Sequence, residues 1–173
     1  MDQSLKSPGQ SALDDAFHAM FELSRTTPEP SLDQRLDRLK RLRTAVSDNE
    51  ARFEAAISAD FGHRSNTETA IAETLLVLAE IRHAVKHLKK WMAPQRISTA
   101  LQFMPAKNRL IPQPVGVVGI IAPWNYPLQL TLAPAVGALA AGNRVMIKPS
   151  ELVPRFSALL KEVISARDRK SVV

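Results

Sequence analysis

The stretch at residues 115–122, Val-Gly-Val-Val-Gly-Ile-Ile-Ala, narrows the possible folds more than any other part of this chain. It is rich in β-branched side chains and holds no polar one. Such a run suits a strand buried on both faces, as in a parallel sheet. Residues 128–141 have helical character, and Gly142 is placed to end that helix. Residues 144–148, Arg-Val-Met-Ile-Lys, form a second short strand, and another helix runs over 156–166. Strand, helix, strand is one βαβ unit, so the second half reads as α/β.

The first half reads as helices. Phe17, Met20, Phe21 and Ser24 share a face of a short opening helix that Pro28 and Pro30 break. Three capping boxes are expected, in which a Ser and a Gln or Glu three residues on satisfy each other's amides. They are Ser31 with Gln34, Ser47 with Glu50, and Ser65 with Glu68. After the first, Leu32, Leu36, Leu39, Leu42 and Val46 form an apolar stripe. After the second come Phe53, Ile57 and Phe61, with Gly62 as the stop. After the third, a long helix over 66–92 carries Ile71, Leu75, Leu78, Ile81, Val85, Leu88 and Met92 as its core face, and Pro94 ends it. Between the halves, Leu101 and Phe103, then Leu110 and Ile111, read as the strands of a hairpin around residues 105–108. Pro112 and Pro114 confine the second strand to an edge or a bend.

The chemistry-bearing residues follow the two buried strands. Pro123, Trp124, Asn125, Tyr126 and Pro127 come directly after the first, and Lys148, Pro149, Ser150 and Glu151 end the second. Open parallel sheets bind ligands beyond the carboxyl ends of their strands. Asn125, Lys148 and Glu151 are therefore expected on one edge. Each has a plainer reading when taken singly: Trp124 and Tyr126 as core aromatics, Asn125 as a turn residue, Lys148 and Glu151 as an exposed pair.

Composition excludes other classes. There is no cysteine among the 173 residues, so disulfides, thiolate metal sites and a cysteine nucleophile are ruled out within them. His83 and His87 are four apart on a helix, but no His-Glu-x-x-His pattern surrounds them, and no metal is expected. The net charge of +6 comes from basic residues mixed with acidic ones along helices, a solvated pattern rather than a nucleic-acid surface. No apolar run approaches the ~18 residues of a membrane span, and residues 1–10 lack the pattern of a signal peptide. A cytoplasmic protein is expected.

Two blocks together carry a resemblance. Residues 114–127 (Pro-Val-Gly-Val-Val-Gly-Ile-Ile-Ala-Pro-Trp-Asn-Tyr-Pro) and 140–151 (Ala-Ala-Gly-Asn-Arg-Val-Met-Ile-Lys-Pro-Ser-Glu) resemble the aldehyde dehydrogenase superfamily. The helix end His87, Leu88, Lys89, Lys90, Trp91, Met92 and the short N-terminus look most like its class 3 members, bacterial coniferyl aldehyde dehydrogenases among them. The resemblance implies a helical N-terminal region over 1–96, a bridging or oligomerisation hairpin over 97–114, and over 115–167 the start of a Rossmann-like NAD(P)-binding domain. It implies an aldehyde substrate, aromatic or medium- to long-chain, NAD or NADP as cofactor, and a homo-oligomer, most simply a dimer. In the family, a cysteine thiolate attacks the aldehyde carbon and hydride passes to NAD(P)+. Asn125 matches the family asparagine that donates to the oxyanion, an interaction typically contributing ~3–4 kcal/mol. Lys148 and Glu151 match positions that hold the adenine-side ribose. Ile121, Pro123 and Trp124 match the lining of the cofactor cleft near the nicotinamide.

The family's catalytic cysteine and general-base glutamate have no match in this sequence. The 173 residues alone are expected to be inactive and, with unpaired strand edges that invite association, poorly soluble or molten. The last six residues, 168–173, fit no helix continuation and are expected to be a non-native tail, of the kind that sequencing-adapter read-through would add. The alternative is a non-catalytic interaction module that pairs with full-length subunits through the hairpin.

Overall fold

The computed structural model describes residues 8–167; both ends of the chain, the 168–173 tail among them, lie outside the described residues. The order is α1 (Pro8–Thr26), α2 (Leu32–Ser47), α3 (Glu50–Phe61), α4 (Asn66–Thr69), a π-turn (Ala70–Thr74) and α5 (Leu75–Trp91). Then come β1 (Gln95–Ile97), a 3-10 turn (Leu101–Phe103), β2 (Asn108–Leu110), β3 (Val117–Ile121), α6 (Pro127–Ala140), β4 (Arg144–Lys148) and α7 (Pro154–Arg167).

The βαβ unit forms as expected. β3 and β4 pair in parallel, with Val117 opposite Arg144 and Ile121 opposite Lys148. The α6 helix crosses between them and turns at Gly142, whose φ of +93° suits glycine. Asn143 fastens that turn to the start of β3: its Oδ1 accepts from the N–H groups of Val115 (2.8 Å) and Gly116 (3.0 Å). Burial on both faces of β3 is not realised. Ile120 faces the core, whereas Ile121 is 83 % exposed, because α6 and α1 cover only part of the strand.

One core joins both halves. Leu39, Leu42, Val46, Phe53, Ile57, Val77, Ile81 and Leu88 from the helices pack with Leu128, Leu132, Leu139, Val145 and Phe156. The stripe on α2 is as expected, with Leu32 and Leu36 at its partly buried rim. Its Ser31 capping box is complete: the Gln34 N–H donates to Ser31 Oγ, and the Ser31 N–H to Gln34 Oε1.

The other two boxes do not form. Ser47 belongs to the last turn of α2 and donates back to the Thr44 carbonyl, so Asn49 becomes the N-cap of α3. Ser65 does sit at the N-cap of α4 but makes no side-chain cap bond, and Glu68 pairs with Arg64 instead. The opening helix is longer than expected, and Phe17 and Phe21 are exposed while Met20 and Ser24 are buried.

The long helix departs from its expected face at the π-turn. Ile71 and Leu75 are exposed, and Thr69, Glu73, Val77 and Ile81 point inward instead. Residues every four along a 3.6-residue helix drift by about 40° per step. The wider π-turn absorbs that drift and keeps all four on one face.

The hairpin exists, but its first strand is Gln95–Ile97 rather than the stretch around Leu101 and Phe103. Those two side chains lie in the 3-10 turn, and the antiparallel register pairs Gln95 with Leu110 and Ile97 with Asn108. Ile97, Leu101, Phe103, Met104, Leu110 and Ile111 are all exposed there. Among the described residues, no helix is long and apolar enough to cross a membrane, and no group of three or more His, Asp or Glu could hold a metal. His83 and His87 instead stack with Trp91, and a His87 ring nitrogen bonds to the His83 carbonyl.

Candidate active-site edge

Two strand ends build the site. The parallel register sets Ile121 beside Lys148, and the Ala122 N–H donates to the Lys148 carbonyl at 3.0 Å, so the two following loops start side by side. On the β4 side, Lys148 Nζ and Glu151 Oε1 form an exposed ion pair at 2.5 Å. That bond to Lys148 holds the Glu151 carboxyl below the ordinary glutamate value. On the β3 side, Ile121, Pro123, Trp124 and Asn125 are all exposed. All six expected residues thus lie at the carboxyl end of one two-stranded sheet. Among the described residues no hydrogen bond links Asn125 to the Lys148–Glu151 pair, so the edge has two separate halves.

The loop over 123–127 is held from behind by residues to which the sequence reading gave no part in the site. Arg64, in the connection after α3, donates from Nη1 to the Asn125 carbonyl at 2.6 Å. Its guanidinium lies over the Tyr126 ring (4.6 Å to the centroid) and the Phe61 ring (5.0 Å). Phe61 in turn packs against Trp124, with centroids 5.9 Å apart. Arg64 Nη2 is 3.3 Å from both Glu68 Oε1 and Glu73 Oε1, an ionic contact rather than a formed hydrogen bond.

Glu73 has no exposed surface. Its Oε2 accepts from the N–H groups of Leu128 (2.7 Å) and Gln129 (3.2 Å), which open α6. Burial pushes the Glu73 carboxyl above its ordinary value; the Gln129 and Leu128 amides and Arg64 pull it back only in part, and Glu68 adds to the rise. The helix after β4 is capped in the same manner. Asp60 accepts from the N–H groups of Arg155 (3.1 Å) and Phe156 (2.9 Å) at the start of α7. Both helix N-termini beside the site therefore receive a carboxylate, which their free N–H groups and dipoles favour.

A parallel βαβ unit with polar residues gathered beyond its strand ends places the chain among α/β folds, and the comparisons narrow that class. The aldehyde dehydrogenase family model matches residues 4–168. This chain belongs to the aldehyde dehydrogenase family.

A Pseudomonas aeruginosa protein named probable coniferyl aldehyde dehydrogenase is 48 % identical over 138 residues, covering 80 % of this chain and 29 % of its own length. Aldehyde dehydrogenase family 3 member H1 of Arabidopsis thaliana is 40 % identical over 130 residues, 75 % of this chain and 27 % of its own. The structure of the substrate-bound state of Staphylococcus aureus AldH superposes with a TM-score of 0.88 at 32 % identity, covering 92 % of this chain and 35 % of that one. The chain thus spans about three-tenths of the length of the curated relatives it matches.

Proposed function

We propose that this chain supplies the N-terminal part of an NAD(P)-dependent aldehyde dehydrogenase that oxidises an aldehyde, of the aromatic coniferyl type, to its carboxylic acid. The observation that carries the proposal is the clamped loop beyond β3. Asn125 is exposed there, while its carbonyl is fixed by Arg64. A carboxamide so placed can donate from Nδ2 to an aldehyde oxygen as negative charge develops on it, at small reorganisation cost.

The edge also fits a dinucleotide. An exposed carboxylate and ammonium, Glu151 and Lys148, suit ribose hydroxyls, and the exposed apolar surface of Ile121, Pro123 and Trp124 suits a flat ring. When bound, NAD(P)+ would supply the hydride acceptor. The protein's part would be to hold it: Glu151 would accept from the ribose hydroxyls, and its charge would disfavour a 2′-phosphate that Lys148 would attract. The names of the relatives support an aromatic substrate.

Supply of the nucleophile is left to residues beyond these 173, since none of them is cysteine. We divide the chain accordingly into a helical region, a hairpin and the start of the cofactor domain over 115–167; Gln95 and Arg96 of β1 belong to the hairpin, so its start moves ahead of residue 97. The exposed apolar side chains of the hairpin favour a homo-oligomer, and also the second reading, an interaction module that pairs with complete subunits.

The test is aldehyde-dependent reduction of NAD(P)+ by the complete polypeptide that contains this chain, with and without Asn125→Ala. The variant should lose about 10²–10³-fold in kcat, the cost of one oxyanion donor. Wild-type activity left intact in Asn125→Ala would refute the role. The 173-residue chain assayed alone should give no turnover; turnover by it would refute the need for an outside nucleophile.

A further inference from the structure

Among the described buried polar residues, Glu73 is the only acidic one. Taking a carboxylate out of water costs several kcal/mol, so its position calls for compensation that the surroundings can identify. It faces the first turn of α6, Arg64 from the connection after α3, and Glu68 from α4.

The α6 helix makes unusual use of its own flanks. Its N-cap is Tyr126, which offers no side-chain cap, and the residue before it is Asn125. Asparagine is among the best capping residues, because its Oδ1 readily accepts from the first free amides of a helix. An Asn125 recruited in that way would turn its carboxamide toward the helix. Glu73 already occupies those amides from 55 residues away. Arg64 meanwhile ties down the Asn125 carbonyl and covers the Tyr126 ring, which restrains the backbone on either side of the Asn125 side chain.

We propose that Glu73 and Arg64 are positioning residues for Asn125: Glu73 takes over the capping of α6 and Arg64 clamps the loop, so that the Asn125 carboxamide stays free to donate outward. The final clause rests on the dehydrogenase reading above. The capping and the clamp do not, and they are testable without any aldehyde or cofactor.

The experiment is a pH series of amide and side-chain carboxamide NMR spectra of the complete polypeptide that contains this chain, and of its Glu73→Gln, Arg64→Ala, Arg64→Lys and Asp60→Asn variants. In the wild type, the Leu128 and Gln129 amides should shift together as Glu73 titrates, with a midpoint above the ordinary glutamate range. Glu73→Gln should abolish that titration and move the Asn125 carboxamide signals. Arg64→Ala should move the Asn125 signals as well, and Arg64→Lys should restore them in part. Asp60→Asn removes the matching cap on α7 and should leave the Asn125 signals in place, which separates positioning from general loosening.

Persistence of the Leu128 and Gln129 titration in Glu73→Gln would overturn the proposal. So would Asn125 signals that stay unchanged in Arg64→Ala, a result that decides alone if Glu73→Gln loses its dispersed spectrum. Failure of the dehydrogenase reading would show elsewhere, as no aldehyde-dependent reduction of NAD(P)+ by the complete polypeptide.

Discussion

Three glycines should respond to the same substitution with different signs. At Gly142, the φ of +93° lies where L residues are strained, and an added Cβ would fall 2.7 Å from Arg35 Cζ and 2.9 Å from its Nε. Arg35 has little room to yield. It is 6 % exposed, and it donates from Nε to the Pro30 carbonyl (2.9 Å) and from Nη1 to the Ala140 carbonyl (3.2 Å). The backbone penalty is about 1–2 kcal/mol. Displacing one buried charged hydrogen bond adds about 1.5–3 kcal/mol. Gly142→Ala should therefore cost about 3–5 kcal/mol, a large part of the whole stability of an ordinary domain.

Gly62 has a similar φ of +87° but open space around its missing Cβ, so Gly62→Ala should cost the backbone penalty alone, about 1–2 kcal/mol. Gly137 lies inside α6, exposed and with nothing within 4 Å. There alanine should stabilise by about 0.5–1 kcal/mol. The assay is urea unfolding followed by far-ultraviolet circular dichroism. With a slope of about 2 kcal/mol/M, the midpoint should fall by about 1.5–2.5 M for Gly142→Ala and rise slightly for Gly137→Ala. Equal losses at Gly142 and Gly62 would refute the argument, because they would show that Arg35 presents no obstacle.

Asp60→Ala should cost about 1–2 kcal/mol in the same assay, since Arg155 and Phe156 lose their acceptor; a loss confined to surface noise would show that water replaces it. The raised Glu73 carboxyl means that the folded state holds its proton more tightly than the unfolded state does. Its contribution to stability is thus fully present below the ordinary glutamate value and is lost as pH rises through the folded one. Glu73→Gln should flatten this part of the stability profile, and an unaltered profile would contradict the burial argument. In the complete polypeptide, Glu151→Gln should shift the ratio of kcat/KM values toward NADP, and an unchanged ratio would remove Glu151 from cofactor choice.

Some patterns whose partners are neighbours in the chain were legible in the sequence. The Ser31–Gln34 box and the Gly62 and Gly142 stops are of this kind, and the two parallel strands were legible from their own apolar runs. The expected site residues do gather on one sheet edge, because strand ends are set by the same local pattern.

What was not legible has two sources: local groups that compete for the same side chain, and partners far away in the chain. A Ser-x-x-Glu spacing at residue 47 could not show that α2 continues through that serine, nor the one at 65 that Glu68 turns to Arg64. The carboxylates that cap α6 and α7 come from 55 and 95 residues earlier, and no window over either helix contains them. A uniform 3.6-residue period likewise placed Ile71 and Leu75 inside, since nothing in the hydrophobic pattern marks a π-turn.

That wide turn has a meaning for how such a helix can change. A π-turn is what remains when a single residue is inserted into a regular helix and the flanking turns keep their places. Residues 75–91 can then stay indexed to the core, while Glu73, within the inserted turn, is indexed to α6. The inserted turn keeps Glu73 in phase with Val77 and Ile81, so that one face of the rod, π-turn and α5 alike, serves α6. Removing one residue from Ala70–Thr74 would break that phase, and the neighbourhood of Asn125 would be the first place to register the mismatch.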